Sequence, residues 1–381
     1  MKIVYCLNSI SETGGIERIT IAKANALAEI ESNAVYILVT DYHKRWPATT
    51  LSSKVSLIDL GIKYYERDWK SRLYVWSDIL IKRLRHKEKL KNTLYKLNPD
   101  IVISVGQAEK YMLTSIGGDW KLIREIHYIK NYRRLSLKDN QRIGKILARL
   151  SDLYDFNYKI KKYDRIVVLT EEELKQNWSS INFVSVIPNF ISDIPELQSS
   201  LNNKKIISAG RLEYQKNFSS LILAFKIVAE EFPDWNLEIY GDGSERSRLD
   251  DMIEKLNLKN NVFLKGKCEN LQERMLKASV FVMSSRFEGF PMVMLEALSC
   301  GLPIVTYDFS SGPKDILENG NDGYIVSLGD ETSLANKIIE LIKNEKNRKK
   351  MGENAYLKAM KFHKDIIIKQ WMDLFDALSK S

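Results

Sequence analysis

Short apolar runs, separated by stretches with helical spacing, recur along the whole chain. Residues 2–7 (KIVYCL) form the first run, and a loop follows at 8–15. Over 16–28, Ile16, Ile19, Ala22, Ala26 and Leu27 share one face at helical spacing. Further apolar runs at 34–39, 55–60, 100–105, 121–126 and 165–169 read as strands, the one at 100–105 introduced by the turn signal Asn98-Pro99. Helical stretches lie between most of them. This alternation predicts a parallel sheet with helices on both faces.

The pattern then restarts. Ile187-Pro188-Asn189 closes a strand, 193–205 is polar and turn-rich, and 205–209 (KIISA) opens a second set. Strands are expected at 236–240, 262–264, 280–283, 303–306 and 323–326. Helices are expected at 218–231, 247–256, 271–278, 292–299, 315–317 and 333–343. Residues 347–378 read as helical with a break at Phe362-His363. The expected fold class is α/β: two Rossmann-like, doubly wound parallel-sheet domains facing a central cleft. The divisions are a first domain over 1–190, a linker over 191–204, a second domain over 205–360, and a helix over 361–381 that crosses back to the first. A length of 381 residues suits two such cores.

Composition changes this picture little. Hydrophobic residues make up 44% and charged residues 28%, which argues against a disordered chain. No uninterrupted run of about 18 apolar residues suggests a membrane-spanning helix. The apolar N-terminal run is too short for a secretory segment. Cys6, Cys268 and Cys300 form no metal pattern or disulfide framework, which favours a reducing, cytoplasmic setting. The net charge of +9 favours anionic partners without choosing among them.

Ligands of such folds bind at the carboxyl ends of strands, so the loops there hold the candidate chemistry. Gly14-Gly15-Ile16-Glu17-Arg18 opens a helix and would let backbone N–H groups approach a phosphate. A plain tight turn explains it as well, and it is not the G-x-G-x-x-G of dinucleotide binding. In Gly210–Asn217 (GRLEYQKN), Arg211 and Lys216 could clamp a diphosphate or be solvated surface charges. The most informative segment is 284–297 (SSRFEGFPMVMLEA). It runs from a strand end through a loop into a helix and carries the pair Glu288 and Glu296. Carboxylates there can accept hydrogen bonds from sugar and ribose hydroxyls, beside unpaired helix N–H groups. Residues 308–313 (DFSSGP) could line the same site or simply enter a helix. His127, in Glu125-Ile126-His127-Tyr128, would face the cleft from the opposite domain.

Together GGIER, the His127-Tyr128 pair, IPN at 187–189, GRLEYQKN, GDGSERSRL at 241–249 and SSRFEGFPMVMLEALSCGLPIV at 284–305 resemble the retaining glycosyltransferases of family 4. The resemblance covers nearly the whole chain and implies the GT-B fold. It implies that Arg211 and Lys216 hold the donor diphosphate and that Glu296 binds the nucleotide ribose. Glu288 would lie near the transferred sugar, with the amides of Gly289, Phe290 and Pro291 at its hydroxyls. Gly15 would abut the phosphates, His127 would reach the donor sugar, and Gly266 and Lys267 would fall in the base-binding loop. Glu288, His127, Arg211 and Lys216 are thus the expected catalytic group. The sequence departs from the family after IPN, where Phe190-Ile191-Ser192-Asp193 replaces a glycine-led turn. It also lacks a D-x-D metal motif, as the family pattern implies. No metal or other cofactor is expected. The donor is a nucleotide-sugar substrate, with uridine the preferred base, carrying a hexose or N-acetylhexosamine.

The resemblance further implies a glycan acceptor held by the first domain, polyprenyl-diphosphate-linked as in surface-polysaccharide assembly. That domain carries Lys82, Arg83, Arg85, Lys87, Lys89 and Lys91, then Lys130, Arg133 and Arg134. Trp69, Tyr74, Trp76 and Tyr132 lie nearby. Such a surface suits peripheral docking on an anionic membrane at its inner face, although a solvated basic helix would look the same. Nucleic-acid binding fits the charge but has no recognised module here and leaves Glu288 and Glu296 unexplained. An epimerase or phosphorylase on the same fold is the nearer alternative.

Overall fold

A computed structural model of the chain describes residues 1–10, 14–41, 51–64, 72–106, 108–135, 137 and 142–380, without the side chains of 72–76 and 142. Trp69 and the side chains of Tyr74 and Trp76 therefore lie outside the described residues.

Strands β1 (Lys2–Leu7), β2 (Ala34–Val39), β3 (Val55–Asp59), β4 (Ile101–Ser104), β5 (Lys121–Glu125), β6 (Arg165–Val168) and β7 (Val184–Val186) form one parallel sheet, in the order β3-β2-β1-β4-β5-β6-β7. Strands β8 (Lys205–Ala209), β9 (Asn236–Tyr240), β10 (Val262–Gly266), β11 (Val280–Met283), β12 (Ile304–Tyr307) and β13 (Gly323–Val326) form a second, in the order β10-β9-β8-β11-β12-β13. The strand order reverses beside β1 and beside β8. Such switch points open a crevice at the strand carboxyl ends, where ligands of doubly wound sheets bind.

Burial explains the sequence pattern. In β1, Ile3, Tyr5 and Leu7 enter the core on one face of the sheet, while Val4 and Cys6 enter the core on the other. Strands β4, β11 and β12 are buried along their full length, so they read as continuous apolar runs without alternation. The helix Gly15–Ala28 covers the first of these faces, and the last helix, Lys364–Ser379, shares that face. Its Ile367, Trp371, Leu374 and Phe375 lie in one core with Ile3, Tyr5 and Leu27.

The helical tail is divided as its pattern suggests, into Glu345–Met360 and Lys364–Ser379. At the break the chain runs beside the 190–191 segment. Ile191 N donates to Phe362 O at 2.9 Å, and Ile191 bridges His363. The two passages between the domains are thus tied to each other at the segment that departs from the family. Two π-helical turns, Asp155–Lys159 and Leu174–Trp178, have no counterpart in the periodicity.

Candidate active site

Because β10, β9 and β8 are neighbours, Gly266, Gly241 and Gly210 come together at their carboxyl ends. Gly241 N donates to Gly266 O at 2.8 Å and Gly210 N to Tyr240 O at 2.9 Å. A Cβ on Gly241 would collide with the Gly210 carbonyl, so only glycine permits this approach. Gly266, at φ +76°, ends β10, and the exposed Lys267 follows it.

The pairing of β8 with β11 brings the next two loops into one unit. Lys216 ends a short 3-10 turn, Tyr214–Lys216, and its Nζ lies 2.7 Å from Glu288 Oε1. Glu288 also accepts from Ser285 Oγ at 2.7 Å and Gln215 Nε2 at 3.1 Å. Arg286 N donates to Gln215 O at 2.8 Å, and the Arg286 guanidinium stacks 4.4 Å over the Tyr214 ring. Lys216 and Glu288 are 17% and 11% exposed, so the pair sits at the cleft wall. Arg211 is exposed at the mouth of the same loop, and no ion pair joins it to this unit among the described residues.

Glu296 lies on the helix Met292–Ser299 and faces the first domain. Arg18 Nη2 approaches its Oε1 at 3.6 Å. Burial pushes the Glu296 carboxyl above its usual range, while Arg18 and Lys216 pull it back. Arg18 is a residue that the loop-by-loop reading passed over. It stands inside GGIER, but its reach to Glu296 depends on how the two sheets face each other. Gly15 starts the helix Gly15–Ala28, and a Cβ there would meet nothing within 4 Å. Open space therefore adjoins that helix N-terminus.

The loop Glu288–Pro291 needs one correction. Pro291 has no N–H, so it cannot donate to a sugar hydroxyl. Gly289 and Phe290 hold the N–H donors, and Pro291 precedes the helix as its cap.

The structure buries the His127 ring, whose side chain is 3% exposed. Its Nε2 lies 2.9 Å from Glu125 Oε1. Glu125 also pairs with the buried Lys23, whose ammonium lies 5.1 Å from the centre of the Trp371 ring. Burial lowers the His127 pKa well below its usual value, and the charges of Lys23 and Arg124 lower it further. It is the His127 backbone carbonyl that meets the second domain, at Gly289. A depressed histidine pKa means that the unfolded chain binds a proton the folded chain refuses. Stability contributed by neutral His127 is therefore present above about pH 6.5 and lost as pH falls below it, at no more than about 1.4 kcal/mol per pH unit. Urea midpoints between pH 7 and 5 should fall less steeply in His127→Gln than in wild type. Parallel slopes would rule the effect out.

Other cations of the first domain serve its own fold. Lys82 is buried and pairs with Asp78 at 2.8 Å, Lys89 donates to Leu60 O at 2.7 Å, and Lys130 donates to Asn177 O at 2.8 Å. Arg83 and Lys87 instead line a cavity of about 640 Å³ with Asn8, Thr40, Asp41 and Tyr111. It opens beside the carboxyl ends of β1 and β2.

The loop after β12 ties the domains together. Thr170 Oγ1 and Ser311 Oγ are 2.7 Å apart, and Ser311 N donates to Glu172 Oε2 at 3.1 Å. Asp315 accepts from Glu171 N at 2.8 Å and Glu172 N at 3.2 Å, capping a helix start of the opposite domain. Tyr132 packs edge-on against Phe287 at 5.9 Å. Among the described residues, no three His, Cys, Asp or Glu side chains gather to hold a metal ion.

Residues 190–358 match the family model described as "Glycosyl transferases group 1". The chain is thus similar to the group 1 glycosyltransferases over that segment. It is an enzyme of the transferase class, and its paired sheets are the GT-B fold. The amylovoran biosynthesis glycosyltransferase AmsD of Erwinia amylovora is 28% identical over 98% of this chain and 99% of its own. An exopolysaccharide phosphotransferase of Streptomyces coelicolor is 36% identical, but the match covers 56% of this chain and only 23% of that longer protein. Among solved structures, a variant of S. aureus TarM in complex with fondaparinux, α-GlcNAc-glycerol and UDP superposes with a TM-score of 0.77. It shares 16% identity over 98% of this chain and 99% of TarM, a likeness of fold alone.

Proposed function

We propose that this enzyme transfers a hexose or N-acetylhexosamine from a UDP-sugar to a lipid-linked glycan acceptor, with retention of anomeric configuration, in surface-polysaccharide biosynthesis. The observation that carries the reading is the Lys216–Glu288 pair at the cleft wall, with Glu296 and Arg18 meeting across the same cleft. The name of AmsD and the UDP in the TarM complex support the pathway class and the base.

In the reaction the bond from the anomeric carbon to the diphosphate breaks, and a bond forms to an acceptor hydroxyl oxygen on the same face. The hydroxyl proton leaves with the diphosphate. Negative charge grows on the leaving group, so fixed donors aimed at it lower the barrier. Lys216, Arg211 and the amides at Gly15 supply such donors without a metal ion. Glu288, held by Lys216, Ser285 and Gln215, orients sugar hydroxyls, and Glu296 accepts from the ribose. The cavity of the first domain, with Arg83 and Lys87 at its wall, suits the anionic part of the acceptor.

Thermal unfolding with UDP-, GDP- and ADP-sugars tests the donor site. A ligand at about 100 times its Kd stabilises the fold by about 2.7 kcal/mol. The expected result is a Tm increase with UDP-sugars that Glu296→Ala and Arg211→Ala abolish. A well-folded sample that responds to none of them would overturn the reading. Conversion of the UDP-sugar into an isomer, with no acceptor and no net UDP release, would point to an epimerase instead.

A further inference from the structure

The helix Arg142–Tyr154 lies on the first domain with its sides reversed. Ile143, Ile146, Leu147, Leu150, Leu153 and Tyr154 recur at helical spacing on one stripe, and each is at least 48% exposed. A helix on a soluble surface turns such a stripe to the core. Here the residue turned inward is polar: Asp152 is buried and paired with Arg133 at 2.9 Å. Asp155, one turn on, is likewise buried against Lys110 at 2.8 Å.

Those two aspartates are the only carboxylates between residues 142 and 162. Lys145, Arg149, Lys159, Lys161 and Lys162 are all partly or fully exposed. Among the described residues of 142–162, the outward face is thus apolar and cationic, with no exposed negative group. It continues onto its neighbours. Tyr154 stacks on Tyr158 at 5.9 Å and packs against Tyr111 at 6.1 Å. Tyr111 lines the cavity that also holds Leu84 and Arg83. On the helix Arg72–Leu97, Leu80, Ile81 and Leu84 are exposed on one face.

We infer that this face, centred on Ile146, Leu147 and Leu150, seats the enzyme in the headgroup region of an anionic bilayer. Contiguous exposed apolar surface of this extent marks an interaction site. Its charge selects the occupant. A second copy would bring the same cations together, whereas anionic lipid complements them. The apolar stripe would sink into the headgroup boundary, with Arg149, Lys161 and Lys162 at the phosphates. The cavity lies along the same face, so an acceptor on a membrane-resident carrier could enter it without leaving the bilayer. This rests on the lipid-linked acceptor reading and names the surface that serves it. It also differs from the sequence-based expectation, which centred docking on Lys82–Lys91 and Lys130–Arg134.

The test is co-sedimentation of the full chain with vesicles of phosphatidylcholine, alone or with about one-third phosphatidylglycerol. Wild type should bind the anionic vesicles at least about tenfold more tightly. The variants Ile146→Glu/Leu150→Glu and Lys161→Glu/Lys162→Glu should each lose about tenfold or more. Their Tm, and its shift with UDP-sugar, should not change, because every replaced side chain is exposed. Equal binding by wild type and both variants would overturn the inference, as would no binding by wild type. So would a wild-type dimer, seen by light scattering, that the first variant dissolves. Vesicle binding without a UDP-sugar response would leave the surface standing and sink the transfer reading.

Discussion

Lys216→Ala is expected to lower the turnover of sugar transfer by about 10²–10³-fold, the loss typical when one fixed donor to a developing negative charge is removed. Lys216 occupies the right position for this. It ends the turn after β8, its ammonium lies 2.7 Å from Glu288, and its charge is felt by Glu296. Removing it also strips a partner from a largely buried carboxylate, which by itself would cost stability. Glu288 nevertheless keeps Ser285 and Gln215 as donors, so the loop should hold its shape and Tm should fall only slightly. The measurement is kcat and KM for transfer, with a melting curve on the same sample. A rise in KM with kcat intact would show that Lys216 only holds donor and transition state equally. Lys216→Arg should restore part of the rate, since it keeps the charge but changes the donor geometry.

Most of the strands and the strand–loop–helix setting of Glu288 and Glu296 are legible in the chain, because buried parallel strands and their helices impose distinct periods. The pairing of Lys216 with Glu288 is not. They stand 72 positions apart and meet only because the second sheet orders β8 beside β11. Arg18 and Asp315 escape for the same reason. Each acts on the opposite domain, and no local pattern encodes the angle between two sheets. The helix Arg142–Tyr154 shows a different limit. Its period is helical, but period alone does not tell which way the stripe points. That was decided by two aspartates needing Arg133 and Lys110 inside the domain. His127 illustrates a third. Its place after β5 is readable, but its buried partner Glu125 is shared with Lys23, which lies over Trp371, and both come from distant helices that pack on one face of the sheet.

Gly289→Ala is expected to cut transfer by about 10²-fold or more while leaving UDP binding to the second domain nearly intact. The added Cβ would overlap the His127 carbonyl and approach Tyr128 Cα. Those are backbone atoms of the facing domain, and no side-chain rotation relieves the clash. Gly289 does not have a positive φ, so alanine suits its conformation and the loop itself should fold. The strain would be relieved at the paired passages 190–191 and 362–363, by opening the cleft. Opening separates Thr170 from Ser311, Asp315 from the Glu171 and Glu172 amides, and Arg18 from Glu296. A displacement of about 1 Å between reacting groups already costs about 10²-fold in rate. Three readings decide the matter: kcat, UDP affinity by calorimetry, and radius of gyration by small-angle scattering. Gly117→Ala, where a Cβ meets nothing within 4 Å, is the control. Full turnover with an unchanged radius would mean that the domains do not close to this contact during transfer. Loss of UDP affinity together with Tm would place the damage in the loop that carries Glu288, not in closure.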